Sequence, residues 1–334
     1  MTCLSRDAQR GLTLVELMIA MLLGLIVVGG VLGLFISNSE THRRTGDLAR
    51  IQENARIGVQ FIGRSMREAG GNPCGLPPGM GLIFHLAEAP QNSWWAGGND
   101  FKFSLIGYAG GNGFPANGSV TRVNGSDAIV TVSGSAFAKT VISDAPPGGA
   151  MLISSNEGLA ADDIMFACSM SRGRGVVFKA GKISVSGTNR SVARTNRFEG
   201  AVEDMPVTAL GKINAEGWFV GRNTRGGTSL YRAFIGDNGQ PEEIAQDVAA
   251  MHISYLLPNA NGYVAANEVS DDDWLNVIAA YIELTITRNV AANGTAIQRT
   301  VGLTVNLRNK FVLGRGNPDG GAPDEGDPDG GNPP

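Results

Sequence analysis

The sequence predicts an α+β protein in which one long N-terminal helix packs on a mainly antiparallel, β-rich C-terminal domain. Three observations carry this expectation. From Leu17 to Ile36 the chain holds 20 uncharged, mostly apolar residues in a row. A helical period of apolar residues follows, ended only at "EAGGNPCGLPPG". Beyond Cys74, short alternating runs lie between clusters of Gly, Asn, Ser and Pro. The 47 glycines among 334 residues are roughly twice ordinary usage. Such composition suits many turns between short strands better than a helical bundle.

The apolar run comes first. At ~1.5 Å per residue it reaches about 30 Å, the thickness of a bilayer core. One carboxylate, Glu16, stands at its edge. A charge at membrane depth costs about 2.5–3.5 kcal/mol on insertion scales. A removable signal peptide does not account for it: the run exceeds an h-region, and "SNSETHRR" offers no A-x-A-like site. An ordinary single-span anchor leaves the carboxylate unexplained.

The stretch "G-L-T-L-V-E-L", from Gly11 to Leu17, explains more of the residues. It resembles the class III signal of type IV pilins and the related pseudopilins. The resemblance implies a leader from Met1 to Gly11, held in the cytoplasm by Arg6 and Arg10. It implies cleavage between Gly11 and Leu12 by a prepilin peptidase, then N-methylation of Leu12. Glu16 would meet the new amine of Leu12, on its own or a neighbouring subunit, and so serve assembly. A buried carboxylate is tolerable beside such a cation. Leu12 replaces the commoner Phe or Met, and Gly33 stands where major pilins generally carry proline. The second departure leans away from a major pilin.

The helix is expected from Leu12 to about Ala69. Leu48, Ile51, Ala55, Val59, Ile62, Met66 and Ala69 recur at helical spacing, with Arg50, Glu53, Arg56, Arg64 and Arg67 elsewhere on the surface. Gly29, Gly30 and Gly33 weaken it at about 1 kcal/mol each.

Strands are expected at "DAIVTVS", "DDIMFAC", "GVVFKA", "KISVS" and "SLYRAFI". "YIELTIT" and "TVGLTVNL" alternate cleanly and suit a hairpin across "RNVAANG". "EEIAQDVAAMHISYLL" is expected to form a helical turn feeding a strand, and Gly97 to Gly118 to be loop-rich. From Gly314 to Pro334 the chain is rich in Gly, Pro and Asp, with Asp319, Asp324, Glu325, Asp327 and Asp329 against Arg315. This tail is expected to be disordered. The resulting divisions are residues 1–11 leader, 12–36 transmembrane and assembly helix, 37–70 amphipathic helix, 71–313 β-rich domain and 314–334 acidic tail.

"REAGGNPCG", "SLYRAFIGDNGQPEEIAQDVAAMHISY" and "TITRN…QRTVGLTVNLRNK" are similar, in this order, to PilW-type minor pilins. That resemblance implies a type IV pilin-like fold and a minor pilin of a Gram-negative type IV pilus. Its partners would be other minor pilins, the major pilin, the prepilin peptidase and the inner-membrane assembly platform. Before assembly the chain would span the inner membrane once with a periplasmic domain, and afterwards lie in the pilus. Priming of the filament or its tip would be its role, with twitching motility, adhesion or DNA uptake downstream. A minor pseudopilin of a type II secretion system shares the leader, the Glu and the fold, and is the alternative.

The remaining chemistry is sparse. No basic domain points to nucleic acid. His42, His85 and His252 are scattered singly, and no zinc-protease, nucleophile-elbow or P-loop motif is present. No catalytic residue, metal site or cofactor is therefore expected, and no enzyme. A membrane-anchored enzyme would need a constellation that the sequence lacks. Cys3 would leave with the leader. Cys74 and Cys168 lie in the exported part, where a disulfide can form, and two buried thiols are the alternative. Trp94 and Trp95 fit local packing better than an adhesive patch. "DEGDPDGG" lacks EF-hand spacing, so a solvated tail fits better than a calcium site.

Overall fold

The computed structural model describes residues 13–71, 82–85, 104–111, 114, 118–134, 139–143, 150–153, 158–169, 171, 174–186, 189–194, 206–235, 239–289 and 296–307. Among them run one long helix, α1 (Leu14–Glu68), and β1 (Leu82–His85), β2 (Leu105–Tyr108), β3 (Ala128–Gly134), β4 (Lys139–Ser143) and β5 (Met151–Ile153). Then come β6 (Ile164–Ser169), β7 (Arg174–Ser186), β8 (Asn189–Arg194), β9 (Ala209–Arg222) and β10 (Thr228–Phe234). The chain continues with β11 (Glu242–Gln246), β12 (Val248–Leu256), β13 (Val264–Ala265), β14 (Ala279–Asn289) and β15 (Ala296–Asn306). Two short 3-10 turns, Ala266–Glu268 and Asp273–Asn276, sit between β13 and β14. The expected architecture, a long apolar helix on a mainly antiparallel sheet domain, is what the chain forms.

By contacts the chain divides into two compact units, Met1–Glu53 with Thr287–Gln298, and Asn54–Ile286 with Arg299–Pro334. In the first, Arg288 Nε donates to Asp47 Oδ1 at 2.9 Å, joining the end of β14 to α1. In the second, the strands form an 11-stranded sheet and a four-stranded sheet, the latter ordered β13-β12-β14-β15. The single parallel pair among the described strands is β1 with β7.

Within this second unit the C-terminal turns of α1 pack through a stripe at i, i+3 and i+4. Ala55, Val59, Ile62, Met66 and Ala69 are buried. Gly58 and Gly63 lie on the same face, where an added Cβ would meet Leu284 at 2.7 Å and Leu303 at 2.6 Å. The glycines therefore let the helix approach β14 and β15 closely. Ser65 and Thr131 share a buried hydrogen bond of 2.5 Å between α1 and β3.

β9 organises the larger sheet. β4 and β6 pair with its first half, β3 with its middle and β10 with its second half. Every residue of β6 is buried, because its two faces feed two cores. Met165 and Ala167 join Met151, Val176, Phe178, Val192 and Leu210, whereas Ile164, Phe166 and Cys168 join Val177 and Ile213.

Three expectations need correction. "EEIAQDVAAMHISYLL" contains no helical turn: it is β11 and β12, separated at Asp247, whose φ is 62°. The register of β11 shifts opposite Leu230 and Tyr231, and that of β12 shifts between Val248 and Ala250. The second shift buries Val248 and Met251 three residues apart, which imitates a helical period. The loop-rich stretch from Gly97 to Gly118 includes β2. "GVVFKA" and "KISVS" are one strand, β7, with an irregularity between Ala180 and Ile183.

Candidate functional site

The first turns of α1 carry the features that bear on function. Residues 14–36 at ~1.5 Å rise give about 34 Å, enough for a bilayer core. Their large apolar side chains are exposed all round the helix, from Leu14 at 76% to Phe35 at 72% and Ile36 at 65%. Among the described residues α1 is the one helix apolar and long enough to span a membrane. A helix apolar on every side has no core-facing stripe, so its partner must be lipid or other apolar helices. From Ser37 onward polarity returns, with an i,i+4 pair between Arg44 and Glu40 at 2.7 Å. Thr41 and Thr45 donate back to the carbonyls of Ser37 and Thr41, each at 2.9 Å.

Glu16 lies in the first turn of α1 and is solvent-exposed in the isolated chain. Its backbone N–H donates to Thr13 Oγ1 at 3.3 Å. Leu17 N–H donates to the Thr13 carbonyl at 3.2 Å. Thr13 is thus the N-cap residue, outside the helix yet accepting its first bonds. Glu16 occupies the third helical position, where a carboxylate favours the positive end of the helix dipole. The spacing T-x-x-E is that of a capping box, a signal present in the sequence but unused there.

Gly11 and Leu12, the expected cleavage and methylation positions, lie outside the described residues. So do Cys74, Trp94, Trp95 and the acidic tail. Cys168 is fully buried on β6 and is disulfide-bonded. Its partner also lies outside the described residues.

Elsewhere the polar groups do structural duties. Asp127 Oδ1 accepts the N–H of Gly110 and its Oδ2 accepts that of Ile253, both at 2.8 Å. Arg122 donates to the carbonyls of Tyr108 and Ser126, and burial lowers its pKa despite Asp127 nearby. Sequence reading missed this cluster because no motif marks it, and the fold alone brings Ile253 to Asp127. Among the described residues no group of three or more His, Cys, Asp or Glu could hold a metal ion.

A family model of the prokaryotic N-terminal methylation motif matches residues 6–32. The N-terminal segment carries a class III signal. The match encloses Gly11, Leu12, Thr13 and Glu16 together with most of the apolar run. With the helix geometry, it supports a type IV pilin-like or pseudopilin protein and fits a membrane-anchored one. A signal of this type implies processing by a prepilin peptidase and a setting of pilin assembly. No curated protein and no solved structure matches the chain.

Proposed function

We propose that the chain is a minor pilin of a Gram-negative type IV pilus, of the PilW type, with no chemistry of its own. The methylation motif at residues 6–32, in register with an all-round apolar helix, is the observation that carries this reading. Cleavage after Gly11 gives Leu12 a free, methylated amine, and Glu16 supplies its counter-charge during recruitment into the filament. The subunit acts with other minor pilins, the major pilin and the inner-membrane platform, in a complex that primes the filament or caps its tip. Twitching motility, adhesion and DNA uptake follow from the pili it helps to start.

Two features favour a minor subunit over a shaft subunit. Gly33 replaces the helix proline usual in shaft subunits, and two sheets of 11 and four strands are bulky for a closely repeated element. The test is a gene deletion. Surface pili and twitching should fall sharply while the major pilin is still made and processed, and blocking retraction should restore some pili. Normal piliation with lost exoprotein secretion would instead identify a minor pseudopilin of a type II secretion system.

A further inference from the structure

The apolar run of α1 ends at Ile36, and the turns that follow carry charges of both signs. Glu40, Arg43, Arg44 and Arg50 are exposed, and Asp47 is half-buried. Most of these charges are already matched. Glu40 accepts from Arg44 at 2.7 Å, and Asp47 accepts from Arg288 at 2.9 Å. Arg43 and Arg50 have no hydrogen bond or ion pair among the described residues. A second copy of the chain offers them little here, because both carboxylates between Ile36 and Arg50 are engaged.

Position along the axis separates the two arginines. At ~1.5 Å rise, Arg43 stands about 10 Å past Ile36 and Arg50 about 21 Å. Helix side chains lean toward the N-terminus, here toward the bilayer. Arg44 shows the reach: its guanidinium meets Glu40 one turn back, about 5.4 Å along the axis. With the hydrocarbon edge at Ile36, the same reach puts the Arg43 guanidinium about 5 Å beyond it, inside a headgroup layer of about 5–7 Å. The Arg50 guanidinium lies about 16 Å out, past the ~8 Å Debye length at physiological salt. We infer that Arg43 binds the phosphate of an anionic phospholipid headgroup and so fixes the depth at which α1 sits in the bilayer. Its guanidinium presents a planar fork of donors that matches phosphate oxygens. Arg44 assists by neutralising Glu40, whose charge would otherwise repel the same headgroups. The inference rests on residues 14–36 spanning a bilayer, not on the type of pilin.

The experiment embeds the full chain in phosphatidylcholine vesicles holding a trace of phosphatidylglycerol with a photoreactive headgroup. Labelling mapped to residues 37–50 is compared for wild type, Arg43→Gln, Arg43→Lys and Arg50→Gln, all substitutions of exposed side chains. Arg43→Gln should be labelled about fivefold less, the equivalent of about 1 kcal/mol for one arginine near an anionic surface. Arg43→Lys keeps the charge and should stay near wild type, and Arg50→Gln should match wild type. Undiminished labelling of Arg43→Gln, or an equal loss in Arg50→Gln, would overturn the inference. So would loss of labelling on adding inorganic phosphate, which would make Arg43 a site for the free ion, or equal labelling by a photoreactive phosphatidylcholine. A wild-type chain stripped from the vesicles by alkaline carbonate would instead overturn the membrane span beneath the inference.

Discussion

At the residue scale, Glu16 is the position where sequence and function meet. Its carboxylate sits in the first turn of a helix with no other charge before Glu40. Glu16→Val makes the run more apolar and leaves the Thr13 cap on its backbone N–H, so insertion and processing should persist. Cross-linking to partner pilins should fall, since the amine of Leu12 loses its counter-charge; undiminished capture would argue against an assembly role. Gly107 tests packing instead. A Cβ there would strike the Tyr255 hydroxyl and would come within 2.8 Å of Trp274 Cη2. Tyr255 and Trp274 are buried and meet edge to face at 4.8 Å, so neither ring can withdraw. Gly107→Ala should therefore destabilise the domain by about 2 kcal/mol in urea unfolding. Glu243 adds a pH dependence. Burial pushes its pKa up, but hydrogen bonds from Ser229 and Arg225 and the charge of Arg225 hold it below the ordinary value. A depressed carboxylate contributes stability above its unfolded pKa and loses it as pH falls through the folded one. Glu243→Gln should thus cost a little stability at pH 7, and that cost should disappear at a pH below the lowered pKa of folded Glu243. Equal losses at both pH values would contradict that assignment.

Among elements, α1 and the β14–β15 hairpin were legible in the sequence because each keeps a single period. Leu284 and Ile286 alternate with Glu283 and Thr285, and Ala55 to Ala69 keep helical spacing. β9 was not legible. It carries glycines at 211, 217 and 221, and Trp218 to Val220 are all buried, so the alternation of its first half breaks down in its second. β11 and β12 were misread because shifts in register break their period of two. Of the candidate site, Gly11, Leu12 and Glu16 come from the resemblance of "GLTLVEL" to a class III signal. Thr13 stood in the same motif, but its role appears only with the hydrogen bond it accepts. On β6, Cys168 is buried and disulfide-bonded, and Cys74 is its proposed partner. Closing a loop of about 94 residues should stabilise the domain by roughly 4–5 kcal/mol in the chain-entropy model. Non-reducing peptide maps of periplasmic material should yield a linked Cys74–Cys168 peptide. A free thiol at Cys74 would refute the pairing.

For the whole molecule, one helix belongs to two solvents. Residues 14–36 expose apolar side chains on every side, whereas residues 55–69 bury one stripe and leave Arg56, Arg64 and Arg67 in water. That division suits a subunit stored in a membrane and handed on to an apolar helical bundle without unfolding its sheets. A class III signal requires that the leader be removed at one bond. Intact-mass and N-terminal analysis of the chain from cells with active prepilin peptidase tests this most directly. A chain lacking residues 1–11, beginning at an N-methylated Leu12, is the predicted result; an intact Met1, or a start beyond the apolar run near Ser39, would contradict it.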